Sequence, residues 1–405
     1  MTLDLTAVRA RFPALADGFV YFDNAGGSLV LRDVAERVSE YLLTTSVQTG
    51  ASYSHSVRAS ERLLQSRASL ARFVNATRPE EIVLGPTTSA LMRLLATAMA
   101  PQFGPGDEVI VTVFDHESNI GPWHILKERG VVFKVWTINP ESFRVDLDDL
   151  RALMSPRTKL VAVTHASNIL GTINPIAEIA AIVHAGGAKL AVDAVAYAPH
   201  RAVDVQACGA DYYAFSFYKT YGPHFAMLWG RYELLAELES QYHYFYTKDK
   251  VPTKLEPGNA NYELAWGCTG IVDYFDGLGG GTGDRAAIVR AFDAVAEHEA
   301  DLGERLLGWL RDRNDVRIIG DRHAPKATRV PTIAFKFDGR RSDELVRRVD
   351  ADRIGIRHGD FHSRRLIEHL GLADGGGVLR VSMVHYNTLE EVDRLTASLD
   401  RALAG

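Results

Sequence analysis

Cysteine is almost missing from this 405-residue chain: Cys208 and Cys268 are the only two. Two are too few for a disulfide scaffold and lack the paired spacing of a zinc knuckle, so a reducing, cytoplasmic setting is expected. Charge of one sign is also scarce. With 45 Lys and Arg against 51 Asp and Glu the formal charge is −6, and no dense basic run occurs, which argues against a nucleic-acid or anionic-membrane surface. No stretch reaches the roughly 20 apolar residues of a spanning helix. The segment Met1–Ala10 carries Asp4 and Arg9 and no long apolar run, so neither a signal peptide nor an anchor is expected. What remains, 46% hydrophobic and 24% charged residues, describes a globular chain large enough for one two-domain unit, with a small molecule as its expected partner.

From about Glu80 short β-branched runs alternate with longer amphipathic stretches, the pattern of crossover units that build a mostly parallel sheet. Strands are predicted at Glu108–Val113, Val131–Trp136, Lys159–Thr164, Lys189–Val192 and Tyr212–Ser216, and a helix over Pro175–His184 before Gly186 and Gly187. Pro252, Pro257 and the run GLGGGTG at Gly277–Gly283 break this alternation, and a crossing between domains is expected there. Beyond it, a long helix (Arg290–Arg313), strands at Thr332–Phe337 and Val378–Val384, and a final helix (Leu389–Leu403) describe a smaller α+β domain. In such α/β sheets ligands sit beyond the carboxyl ends of the strands. The polar residues after each run are therefore the candidates: Asp115 and His116, Ser167 and Asn168, Asp193, and Ser216 to Lys219.

Lys219, in FSFYKTYGP, follows an apolar aromatic strand, where an ammonium is partly desolvated and drawn toward nucleophilic use. A lysine snorkelling from a strand end is an equal alternative on local grounds. Asp193, closing KLAVD, tips the balance. A carboxylate ending one buried strand and a lysine ending the next suit an aldehyde cofactor whose ring nitrogen takes an acidic partner. Alone, Asp193 could equally cap the following helix. His358 and His362 stand four apart, a metal-ligand spacing on a helix, but Gly359 and Asp360 between them indicate a loop, no third ligand is evident, and no metal is expected. The glycine run does not complete a dinucleotide fingerprint.

Several motifs in order carry a resemblance that runs nearly end to end: YFDNAGGSL, LGPTTSAL, FDHESNIGPW, THASNILGTINP, VDAVAYAPH, FSFYKTYGP, EPGNANYE and RVSMVHYNTLEEVDRL. Together they resemble the class V, fold type I pyridoxal-phosphate enzymes, in the cysteine-desulfurase-like branch. The resemblance implies a large cofactor domain over 16–258, with a mostly parallel seven-stranded sheet between helices. It implies a small α+β domain from 1–15 and 259–405, and a homodimer with shared active sites. It also implies pyridoxal phosphate held by Lys219 as a Schiff base, with Asp193 on the pyridine nitrogen, His116 stacked on the ring and Asn168 on its phenolic oxygen. Thr87, Thr88, Ser216 and Asn259 are implied at the phosphate, Asn259 reaching the partner's. Arg380, assisted by Arg357, is implied at the substrate α-carboxylate, with Asn24, Ala25 and Gly26 beside it. Without the motifs, the plainer readings are a strand-end histidine for His116, turn formers for Asn168 and Asn259, an N-cap pair for Thr87 and Thr88, and an exposed strand arginine for Arg380.

Departures from the family pattern bear on the reaction. Ala196 stands where a glutamine is frequent and Tyr218 where a histidine usually precedes the lysine. In RHGDFHS (Arg357–Ser363) the position of the sulfur-accepting cysteine of a desulfurase holds His362. A persulfide needs a thiolate nucleophile, so ordinary cysteine desulfuration is disfavoured. The expected activity is that of an aminotransferase or a β-eliminating carbon–sulfur lyase acting on an amino acid. The alternatives are an epimerase of the isopenicillin N epimerase type and a non-catalytic binding protein of the same fold.

Overall fold

The buried β-branched runs form one seven-stranded sheet. Across it the order is Ile82–Gly85, Ala226–Gly230, Tyr212–Ser216, Lys189–Asp193, Thr158–Thr164, Glu108–Thr112 and Val132–Trp136. Only Ala226–Gly230 runs against the rest. Runs such as EVIVT and YYAFS are buried at every residue, as strands covered on both faces must be. The computed structural model describes residues 2–404. It has the α/β architecture expected, and each predicted strand lies within a residue or two of its place.

Helices pack on both faces of this sheet. One face carries a core with Phe73, Ile110, Val161, Val192, Phe215 and Phe275, the other a core with Leu91, Leu95, Val109, Trp123, Leu160 and Leu228. A second sheet of four antiparallel strands, Arg357–Gly359, Val378–Ser382, Thr332–Phe337 and Val316–Ile319, has its own core with Leu306, Phe335, Leu379 and Leu399. No described helix is long and apolar enough to cross a membrane.

The chain passes between the two cores differently from the expectation at Gly277–Gly283. That run is a turn joining helix Tyr262–Leu278 to helix Arg285–Arg311, with Gly280, Gly281 and Gly283 at positive φ. Helix Tyr262–Leu278 packs in the large core. The crossing falls inside the next helix: Ile288, Phe292 and Val295 belong to the large core, while Leu302, Leu306 and Leu310 belong to the small one. Val8, Phe12 and Leu15 also join the large core, whereas Val20 and Phe22 join the small one, where Val20–Tyr21 pairs in parallel with Ile354–Gly355. A continuous apolar stripe on a 27-residue helix serves both cores without a break, so no turn residue marks the passage.

A second seam lies at Gly171. Its φ is +69°, and a Cβ there would sit 2.3 Å from the Thr332 carbonyl oxygen, so only glycine lets the THASNILG loop lie against the small sheet. Val330 N–H donates to the Gly171 carbonyl (2.9 Å), which fixes the loop carrying Asn168 against the small domain.

Candidate active site

All carboxyl ends of the parallel strands open on one edge of the large sheet, and the residues that follow them converge there. A cavity of about 280 Å³ is lined by Thr87, Thr88, His116, Asn168, Asp193, Ser216 and Lys219, together with Ser118, Ala196, Tyr218 and His224. A second cavity of about 260 Å³ adjoins it and shares His116, Asn168, Tyr218 and Lys219; its other walls include Ala25, Gly26, Arg357, Phe361, His362 and Arg380. Eleven of the thirteen residues implied at the cofactor and substrate, all but Asn24 and Asn259, therefore meet around one space.

Lys219 ends a single 3₁₀ turn, Phe217–Lys219, directly after strand Tyr212–Ser216. The turn is clamped by Gly222 N–H and Thr220 N–H donating to the Phe217 carbonyl (2.8 and 2.7 Å), and by Ser28 N–H donating to the Tyr218 carbonyl (2.9 Å). The ammonium is buried. Burial, with Arg380 nearby, pulls its pKa down to about 8 against the opposing pull of Asp193 and Asp23.

Asp193 is buried, and burial raises its pKa, while the N–H of Val195 (2.9 Å), Lys219 and Ser118 favour the ionised form. His116 is held by its own turn: Ser118 N–H donates to Nδ1 (3.1 Å), and the Ser118 hydroxyl lies 2.7 Å from the same nitrogen. Nδ1 is thus an acceptor and the ring proton sits on Nε2. Burial and the charges of Lys219, His362 and Arg380 push the imidazole down to about 3, so it is neutral at pH 7.

Two hydroxyls and a helix start make an anion cradle. Thr88 begins helix Thr88–Met99, and its Oγ1 lies 2.7 Å from the Ser216 hydroxyl. Thr87 is the N-cap, its hydroxyl accepting from Ala90 N–H (3.0 Å). Backbone amides at this helix start, with the dipole behind them, suit a phosphate.

On the small-domain side Arg380 is buried. It donates to Asp23 (2.8 Å) and to the Asn168 carbonyl (3.2 Å), while its Nε has no partner. Phe361 lies over its guanidinium at 3.8 Å. Arg357, opposite Arg380 in the sheet register, reaches the other Asp23 oxygen at 3.5 Å.

Three more of the implied residues, Asn24, Asn259 and Asn168, have surroundings that bear on their roles. Asn24 lies beneath the cavity: its amide donates to the Ser382 carbonyl (2.8 Å) and its oxygen accepts from the Tyr386 hydroxyl, so it supports the site and does not face a substrate. Asn259, at φ +71°, lines a separate groove of about 400 Å³ with Leu84, Leu94 and Leu264, which touches the first cavity only at His224. Asn168 lines both cavities, but its amide donates to the Phe361 carbonyl (3.0 Å) and its oxygen accepts from Ser363 (2.8 Å), which ties down the loop after Arg357.

Sequence reasoning singled out none of Asp23, Ser118 and Phe361, and marked Asp115 only as a strand-end candidate without a role. Asp23 and Ser118 stand inside quoted motifs, YFDNAGG and DHESN, and only their neighbours were given roles. Asp115, at the end of a strand, accepts from Thr164 N–H (2.8 Å) and Asn119 (2.6 Å); burial, opposed by these bonds and helped by Asp193, raises it to about 8.

Comparison with known proteins decides the family. The model of the aminotransferase class-V family matches residues 20–395. The chain belongs to the class V aminotransferase family. An aminotransferase-like protein of Gibberella zeae is 44% identical over 98% of both chains, and a cysteine desulfurase-like protein of Aspergillus flavus is 33% identical over 98% of this chain and 90% of the other. Among solved structures, a cysteine desulfurase from Thermococcus onnurineus superposes with a TM-score of 0.90 at 26% identity, and one from Escherichia coli with 0.86 at 27%; each comparison covers 100% of this chain and 99% of the other. This class V protein therefore has the fold type I architecture and is an enzyme of that family.

Proposed function

We propose that this class V enzyme uses pyridoxal phosphate to act on an α-amino acid, as an aminotransferase or a β-eliminating carbon–sulfur lyase, without a persulfide step. One observation carries the reading: a buried lysine with its pKa drawn to about 8 shares a cavity with a buried carboxylate and a hydroxyl pair at a helix start. This donor set fits the cofactor. Lys219 would hold its aldehyde carbon, Asp193 its ring nitrogen, and Thr88, Ser216 and the amides after Thr87 its phosphate. When bound, the group supplies a sink for the electrons left at the substrate α carbon.

The chain's own residues do the rest. Arg380, with an unpartnered Nε, holds a carboxylate in its planar fork, and Arg357 adds charge at the same wall. Nζ of Lys219 takes the α proton, a task suited to an amine near neutrality at the working pH. Neutral His116 offers its Nε2 proton toward the cavity. Phe361 and His362 form part of the wall of the adjoining cavity. Against a persulfide, Cys208 and Cys268 line neither cavity; burial pushes the Cys208 thiol up to about 11 and raises the Cys268 thiol well above its ordinary value.

We also infer a homodimer. Leu42, Leu43, Tyr53, Val57 and Leu64 are exposed on two neighbouring helices, and the groove at Asn259 is lined by apolar residues.

The test is turnover by the protein supplied with pyridoxal phosphate on a panel of L-amino acids including cysteine and cystine, with keto acid and sulfide assayed together. Keto acid with conversion of the cofactor to its amine form means transamination; keto acid with the cofactor returned unchanged means β-elimination. Catalytic sulfide from free cysteine that survives replacement of both cysteines would still fit elimination, whereas sulfide lost with Cys208→Ser would refute the absence of a persulfide step.

A further inference from the structure

Ser118 has one hydroxyl proton and two acceptors. Its oxygen lies 2.7 Å from Nδ1 of His116 and 3.3 Å from Oδ2 of Asp193, and it lines the same cavity as both. Its backbone N–H is already spent on Nδ1 at 3.1 Å, which keeps that nitrogen an acceptor whichever way the hydroxyl turns. The other oxygen of Asp193 is occupied by Val195 N–H, so Ser118 is the side-chain donor within reach of this buried carboxylate.

We propose that Ser118 is a positioning residue that couples the charge on Asp193 to the hydrogen bonding of His116 through one shared hydroxyl proton. When Asp193 is ionised, the hydroxyl donates to Oδ2, and His116 is held by the backbone N–H alone. When Asp193 is protonated it no longer needs a donor, and the hydroxyl turns to Nδ1. The imidazole keeps its proton on Nε2 in both states, but the polarity of that N–H follows the state of the acid. This would link the acid that pairs with the cofactor's ring nitrogen to His116 beside it, and it rests on the cofactor reading above. The other charged groups facing the pair are Lys219, Asp115, His362 and Arg380. Ser118→Thr and Ser118→Val leave all of these in place.

Those two variants differ in a single hydroxyl and are nearly equal in volume, so a packing effect moves both alike. In protein loaded with pyridoxal phosphate, the midpoint of the visible absorbance change with pH shifts for Ser118→Val by about one to two units, the size of one hydrogen bond to a charged group. The Ser118→Thr midpoint stays with the wild type. In cofactor-free protein the ¹⁵N signal of His116 Nδ1, assigned by its loss in His116→Gln, follows the titration of Asp193 in the wild type and in Ser118→Thr, and ceases to follow it in Ser118→Val. Thr and Val variants that behave alike in both measurements overturn the proposal. A wild type that takes up no pyridoxal phosphate overturns the cofactor reading instead, and the imidazole signal then decides the role of Ser118 alone.

Discussion

In the proposed function Lys219 carries the chemistry, and its environment sets when it can act. An amine drawn down to about 8 by burial is largely charged at pH 6 and largely neutral at pH 9. Uptake of pyridoxal phosphate by the cofactor-free protein is therefore expected to quicken with pH and level off above about 8, measured by the rise of visible absorbance. Lys219→Ala lowers turnover by about 10²-fold to 10⁴-fold, the range of a lost proton-transfer group. Asp115 gives a stability prediction. Its folded pKa, about 8, lies above the ordinary carboxylate value, so the unfolded chain releases its proton first. The contribution of the protonated form is full below the unfolded value near 3.8 and is lost as pH rises toward 8. Asp115→Asn removes this dependence, and Asn119, whose Oδ1 has no partner, can turn to accept from the new amide. The melting temperature of the variant relative to the wild type is thus expected to climb by several degrees from pH 4 to pH 8 and then stay level. Lys219, Asp193 and His116 were legible because each follows an apolar strand, and strand ends in such sheets face the ligand. Asn24 was not: its side chain is consumed by Ser382 and Tyr386, more than 350 positions away, and no local pattern encodes that meeting. Asp23 was hidden for the same reason, since Arg380 and Arg357 lie on another segment, and so was the reach of Ser118 to Asp193, 75 positions away.

At the scale of elements, the start of helix Thr88–Met99 gives two neighbouring threonines different tasks, and of the two Thr88 is the better match to the family's phosphate position. The Thr87 hydroxyl is occupied as a cap and the Thr88 hydroxyl faces Ser216 and the cavity. Thr87→Ala should cost about 1 kcal/mol of stability, read by denaturant titration, and leave cofactor affinity nearly unchanged. Thr88→Val should weaken cofactor binding by about tenfold with little loss of stability. The loop Arg357–Ser363 is a second case. Phe361 and His362 adopt left-handed backbone at φ +53° and +58°, and Asn168 holds the loop at both Phe361 and Ser363. Phe361→Ala uncovers the Arg380 guanidinium, and KM for the amino acid is expected to rise by about twofold to thirtyfold with kcat changing less. The strands were readable from β-branched runs because both faces are buried; the loop was not, because its shape depends on contacts with Asn168 and Glu117 from the other domain.

For the whole molecule, two cores joined by one long helix and a glycine seam place Arg380 on the small domain and Lys219 on the large one. The site exists only where these bodies meet, so the account depends on a single covalent fact about that meeting point. The direct measurement is borohydride reduction of the protein after incubation with pyridoxal phosphate, followed by peptide mass mapping. The account predicts one pyridoxyl group per chain, on Lys219, and none in Lys219→Ala. A label spread over surface lysines, or no label while the protein remains folded, would contradict it.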